Sequence, residues 1–242
     1  MSPVNPSTRK LTSVRTTNSQ DLQKAAEDFR YLLNRGYPRR AALELVGNRY
    51  QLTSDHRHLL HRGVFSDPDS ASRREKIVPA KRIQGKDLVI DGYNVIITIE
   101  AGLSARPLVL ADDGVIRDIS GLSGNFRKTE KTEEALRLIV EVIRRIRPRQ
   151  TLFLFDAPIS MSGNLAHQVR ACLEKERLLG DAKAVKVPEK ILIGFPGVVA
   201  TSDTAIIDQS QEVFDLAGHI IRSIHPPNLI CWRGERGGRT KC

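Results

Sequence analysis

The chain reads as an α/β protein, a parallel sheet flanked by helices with a small all-α head in front. Three observations predict this. Short apolar runs at 87–90, 151–155 and 198–200 alternate with helix-length amphipathic stretches, the pattern of buried parallel strands joined by crossover helices. Residues 19–65 carry helical periodicity without strand-like runs. Forty per cent apolar residues in a chain of 242 suffice for one medium domain plus a small one.

Residues 1–18 are rich in Ser, Thr, Pro and Asn, lack periodicity, and read as a mobile basic tail. Ser19 can cap a first helix, on which Leu22, Ala25, Ala26, Phe29, Leu32 and Leu33 share a face before Gly36 closes it. Pro38 opens a second helix over 39–46 with Gly47 past its end. Thr53 caps a third, which carries Leu59 and Leu60 and stops at Gly63. The trio has the outline of a helix-turn-helix, in which Arg39, Arg40, Arg49, Arg57 and Arg62 would face phosphates; it suits equally a head packed on its own enzyme domain. Residues 66–85 turn polar and read as a linker.

The α/β domain spans 86–232 and opens with the 87–90 strand. Residues 108–119 hold Asp113-Gly114 between apolar runs, a hairpin signal. A helix over 133–146 places Leu136, Ile139, Val140, Ile143 and Ile146 on one face. The 151–155 strand follows, then a helix over 165–179 closed by Gly180. A weak strand at 184–187, a stronger one at 198–200, a helix at 213–224 and a last strand at 228–230 complete the domain. Residues 233–242 form a second basic tail, with Arg233, Arg236, Arg239 and Lys241.

The 38 Lys and Arg against 28 Asp and Glu give a net charge of +10, a field that concentrates polyanions. RNA is the expected partner, with structured precursors of tRNA or rRNA among the candidates. Cys172, Cys231 and Cys242 stand far apart without CxxC spacing, which fits reduced thiols better than disulfides or a zinc site. Residues 1–6 lack the apolar stretch of a secretory signal, and no apolar run approaches the ~20 residues that span a membrane. A cytoplasmic protein is expected, compatible with a homo-oligomer.

In an open parallel sheet, ligands gather at the carboxyl ends of the strands. The first strand ends in Asp91-Gly92-Tyr93-Asn94, the second in Asp156-Ala157-Pro158, and the late strand in Thr201-Ser202-Asp203. One such Asp is most often a helix cap or a turn residue. Three at one edge repel, and a divalent cation would neutralise them. Oxygen-only ligands select magnesium or manganese, which can activate water and stabilise the charge of an in-line phosphoryl displacement. The expectation is therefore that Asp91, Asp156 and Asp203 meet to cage Mg2+ or Mn2+.

The segments VIDGYNVI, LFLFDAP and VVATSD, in that order and separated by helices, resemble the PIN-like nucleases, especially the NYN branch, over roughly residues 86–231. The resemblance implies a PIN-like sheet and a metal-dependent ribonuclease, with an endonuclease the expected type. Asp91, Asp156 and Asp203 would be its catalytic metal ligands, Asn94 an orienting group, and Thr201 and Ser202 neighbours of metal or phosphate. Many such nucleases add an acid from the helix between the first two motifs; Glu133 borders the apolar face there and is the candidate. The acidic pair that often precedes the last motif is absent here, where the chain reads Val187-Pro188-Glu189-Lys190-Ile191, and Asp208 is the expected substitute. Arg127 and Lys128, in a Gly/Ser-rich loop, would grip the RNA backbone without reading its sequence. With its site incomplete, the same scaffold would be a non-catalytic RNA-binding protein.

Overall fold

A computed structural model describes residues 19–119, 126, 128–159 and 161–232. The two expected tails and Arg127 lie outside the described residues. The body is built on a five-stranded sheet in the order β5 (Gly180–Val185), β4 (Gln150–Asp156), β1 (Asp87–Asp91), β6 (Val198–Ala200), β7 (Glu212–Val213), with every pairing parallel. Period-two alternation explains why the strand sequences are apolar throughout: both faces are covered. Leu88 and Ile90 face a core shared with α5 (Gly92–Leu103), α6 (Glu130–Ile146), α7 (Ser162–Lys175) and α10 (Leu216–Ile224). Val89 faces the other side, with Leu192 of α8 (Glu189–Leu192) and Ile206 of α9 (Thr204–Gln209). The α/β class expected from the sequence is the class observed.

Several boundaries differ, each for a local reason. Gly180 does not close a helix but begins β5; a Cβ there would lie 2.6 Å from the Thr151 carbonyl oxygen of the adjacent strand. Val213 belongs to β7, pairing with Val199, and α10 starts only after Asp215 accepts the Gly218 N–H. The Asp113-Gly114 hairpin forms as expected, with Gly114 at φ +86°, between β2 (Leu108–Leu110) and β3 (Ile116–Asp118). The last strand, β8 (Leu229–Cys231), adds to β2 in this small sheet and not to the main one.

The head contains the three expected helices, α1 (Ser19–Asn34), α2 (Arg39–Arg49) and α3 (Ser54–Gly63), and the Thr53 hydroxyl accepts the His56 N–H at 3.3 Å. Gly47 lies inside α2, because the Arg57 guanidinium occupies the space a side chain would need. The head core of Ala25, Ala26, Phe29, Val46, Leu59 and Leu60 is completed by Val109 of β2 and by Trp232. Arg30 clamps the Asp112 carboxylate of the hairpin through two bonds of 2.8 Å. The head therefore packs on its own α/β body.

Residues 66–85 are not a plain linker. They form α4 (Asp67–Lys76) and a short 3-10 turn at Ala80–Arg82. Ser66 caps α4, Asp67 and Asp69 lie in its first turn, and Arg73, Arg74 and Lys76 in its last, each charge complementing the helix dipole. Apolar periodicity is absent because the helix is fastened by ion pairs and hydrogen bonds: Arg73 to Asp208 at 2.6 Å, and Arg74 to the Asp112 carbonyl oxygen at 2.6 Å.

Candidate active site

Asp91, Asp156 and Asp203 stand at the carboxyl ends of β1, β4 and β6, three adjacent strands of one sheet. Ile90 is in register with Ala200, so the next residues on each strand, Asp91 and Thr201, adjoin. Asp91 is in register with Leu154, which puts Asp156 two residues further along on the other side. From β1 the chain first builds outward through β4 and β5, then returns to build β6 and β7 on the opposite side. The edge between β1 and β6 is thus the switch point where such sheets open a crevice. Gly92 is required where β1 turns into α5, since a Cβ there would lie 2.8 Å from the Leu154 carbonyl oxygen.

A web of hydrogen bonds fixes the edge. Thr201 Oγ1 donates to Asp91 Oδ2 at 2.8 Å and accepts the Asp203 N–H at 3.1 Å. Asn94 Oδ1 accepts from both the backbone N–H and the hydroxyl of Ser202, at 2.9 and 2.7 Å. The Ser202 carbonyl accepts from Arg117 Nε at 2.8 Å; Arg117 is only 1% exposed and makes a two-pronged pair with Asp113. Beside Arg117 on β3, Asp118 takes Arg62 of the head through its carbonyl oxygen at 3.2 Å. Of the three neighbours singled out in the sequence, Thr201 bonds the Asp91 carboxylate, while Asn94 and Ser202 bond each other.

Burial pushes the Asp91 carboxyl up to about 7; the charges of Asp203 and Asp156 add to the rise, while the Thr201 hydroxyl and the Asn94 amide oppose it. Asp156 is also raised, by burial and then by the charge of Glu189. Tyr93 is pushed up to about 12 by burial and by Asp156. Its ring packs edge-on to Phe155 and Phe126, so it is a wall of the site and not an exposed stacking platform. Burial lowers the Arg62 guanidinium, and the carboxylates of Asp118 and Asp203 work against that.

The expected cage is not closed. Among the described residues no three His, Cys, Asp or Glu side chains form a group able to hold a metal ion. Asp203 Oδ1 is turned to its own helix, accepting the Ala205 and Ile206 N–H groups at 2.8 and 3.2 Å, while Thr201 holds Asp91. Two expected ligands lie elsewhere. Glu133 is exposed and pairs with Lys128 at 2.9 Å, which also occupies that expected phosphate grip. Asp208 is bound by Arg73. Two residues near the edge were not assigned to it by the sequence: Glu189, whose charge faces Asp156, and Arg62, which the head delivers beside Asp203. Glu189 carried no signal beyond sitting where an acidic pair was missing. Arg62 was one of five head arginines expected to face phosphates; Arg39 and Arg57 instead hydrogen-bond backbone carbonyls of the head, and Arg49 pairs with Asp28 at 3.6 Å. Cys172 is a free thiol, but Cys231 is disulfide-bonded, so the reading of three reduced thiols does not hold. No helix among the described residues is long and apolar enough to cross a membrane.

Residues 80–219 match the family model described as Domain of unknown function (DUF5616), and residues 21–76 match that of Protein of unknown function (DUF434). The chain is 34% identical over 202 residues to an uncharacterized protein of Methanocaldococcus jannaschii, an alignment covering 83% of this chain and 96% of the relative. No solved structure matches.

Proposed function

The chain belongs to the DUF5616 family, and we propose that it is a divalent-metal-dependent ribonuclease, an endonuclease working at the β4–β1–β6 edge. One observation carries the reading: three adjacent parallel strands each end in an Asp, and the central carboxylate is flanked by the charges of the other two. Strain of that kind suits a cation. The donor set is oxygen-only, as Mg2+ or Mn2+ requires, and an open set fits magnesium, which usually keeps several waters and takes one or two carboxylates plus substrate phosphate. Asp91 and Asp203 would hold it, with Asp156 and Glu189 on the far side acting through water. Bound there, such a metal would make a coordinated water more acidic and stabilise charge at the phosphate.

The chain's own groups have defined tasks. Thr201 orients Asp91, and Asn94 holds the Ser202 backbone so that Asp203 follows at a fixed place. Arg62, held by the Asp118 carbonyl oxygen at 3.2 Å and its carboxylate at 3.5 Å, adds a positive charge that acts on Asp203 and would favour a phosphate of the RNA strand. The net charge of +10 draws the polyanion in. The test is incubation of purified protein with single-stranded and structured RNA in Mg2+, Mn2+ or EDTA. Internal cleavage that EDTA stops supports the reading, and RNA left intact under every condition ends it. In the same assay Arg62→Ala is expected to raise KM for RNA about tenfold with a smaller change in kcat, as loss of one charge-assisted phosphate contact predicts. An unchanged KM would remove Arg62 from the site.

The rival reading, a non-catalytic RNA-binding protein, draws on Asp203, whose Oδ1 is occupied as a helix cap. It predicts binding that salt weakens and that neither EDTA nor Asp91→Asn alters.

A further inference from the structure

Next to the carboxylate edge lies a cleft of about 440 Å3, within the size of small-ligand sites, roughly 300–1,000 Å3. Phe126, Met161, Asn164, Leu165, Gln168 and Ala171 line it. Its place in the fold ties it to the site. Met161 comes five residues after Asp156, immediately before α7. Phe126 meets Tyr93 edge-on with ring centroids 4.9 Å apart, and Tyr93 in turn meets Phe155, the residue before Asp156, at 5.3 Å. Phe126, Tyr93 and Phe155 thus form a row of ring contacts from the cleft to the residue before Asp156.

Met161 stands out. It is 55% exposed, although large and apolar, and it holds φ at +69°, a left-handed conformation that costs a non-glycine residue about 1–2 kcal/mol. A thioether held out at the lip of a cleft offers a polarisable surface to a flat ring, and Phe126 offers an aromatic one. Around them the Gln168 amide offers donors and an acceptor, and the Asn164 amide, whose Nδ2 donates to Met161 Sδ at 3.6 Å, keeps its oxygen as an acceptor, the equipment for the polar edge of a heterocycle.

We infer that this cleft takes one unstacked nucleobase of a single-stranded RNA, that of a nucleotide flanking the phosphate at the Asp91–Asp203 edge. The inference rests on the ribonuclease reading for the strand's placement, but the cleft's chemistry stands apart from metal and cleavage. It makes single-stranded segments the preferred substrate class, because a paired base cannot leave its helix without loss of stacking.

The experiment is fluorescence anisotropy of the full chain with a short single-stranded RNA, in EDTA, with one abasic nucleotide moved along the oligomer. One abasic position is expected to raise Kd about fivefold or more, the low end of one base stacked on side chains. Ala171→Trp, on the exposed side of α7, fills the cleft without touching the core. It should raise Kd similarly and lose sensitivity to that position, with an unchanged thermal melt showing that it folds. Equal penalties at every position, wild-type binding by Ala171→Trp, or no RNA binding at all would overturn the cleft. Manganese-dependent cleavage measured alongside separates the two ideas. Cleavage without a sensitive base position removes the cleft alone; a sensitive position without cleavage removes the ribonuclease reading and keeps the cleft.

Discussion

Asp91→Asn is expected to lower RNA cleavage about a hundred- to a thousandfold while making the metal-free protein more stable at neutral pH. The rate loss follows from removing the central carboxylate of the edge, on the scale of losing one preorganised charge-stabilising group. The stability gain follows from linkage. The folded-state carboxyl sits at about 7 instead of its ordinary 3.8, so between about pH 4 and pH 7 the folded chain keeps a proton that the unfolded chain has released. Stability therefore falls as pH rises through that window and levels off above it. Asn has no proton to lose and can still accept from Thr201. Urea unfolding at pH 5 and pH 8 checks this: the advantage of the variant over wild type should grow by about 2–3 kcal/mol between the lower pH and the higher. A merely structural Asp would behave oppositely, since its loss would destabilise. If Asp91→Asn cleaves as wild type does, the metal reading is lost; if it is destabilised at pH 8, the account of Asp91 as a strained buried charge is lost.

How far such a site is legible in sequence depends on which interactions place each residue. Asp91, Asp156 and Asp203 could be read because an apolar strand run is a strong signal, and the residues just past its end must emerge at the sheet's carboxyl edge. Asn94, Thr201 and Ser202 came with them as immediate neighbours. Arg62 and Glu189 could not be read as site residues, because nothing local links residue 62 to residue 118 or residue 189 to residue 156; only the packed fold does. Helix α4 was missed for another reason. Its stability comes from Ser66, from charges matched to its dipole and from ions paired with distant partners, none of which leaves an apolar period. Glu133 failed because helical angle counting fixes a side chain's direction around its axis but not what lies opposite, which here is Lys128. The head's two readings were inseparable by pattern, since both need three short amphipathic helices. Val109 and Trp232 decided between them by completing the head core.

The second large effect is expected at Arg117, which couples the stability of the fold to the geometry of the site. Its guanidinium is 1% exposed and holds Asp113 through two bonds of 2.7 and 2.8 Å, over the ring of Phe65. Arg39 and Arg73 lie over the same ring, and burial followed by the charges of Arg73 and Arg117 lowers Arg39 to about 10. Asp113 is the partner of Arg117 and lies 3.7 Å from Arg73, whose closer partner is Asp208. Asp113→Ala leaves a buried guanidinium without its carboxylate and should cost about 3–5 kcal/mol, measured by urea unfolding. Replacing both partners, Asp113→Leu with Arg117→Met, removes the stranded charge and should recover much of that loss, because a buried pair contributes little beyond its apolar equivalent. Cleavage should not recover with it. Arg117 Nε also holds the Ser202 carbonyl at 2.8 Å, the link that steadies the turn between Thr201 and Asp203, and methionine cannot replace it. The double variant should therefore be a stable protein with weakened kcat and little change in KM. Full kcat in a well-folded double variant would show that Arg117 serves the fold alone; a double variant as unstable as Asp113→Ala would show that the pair is worth more than its burial costs.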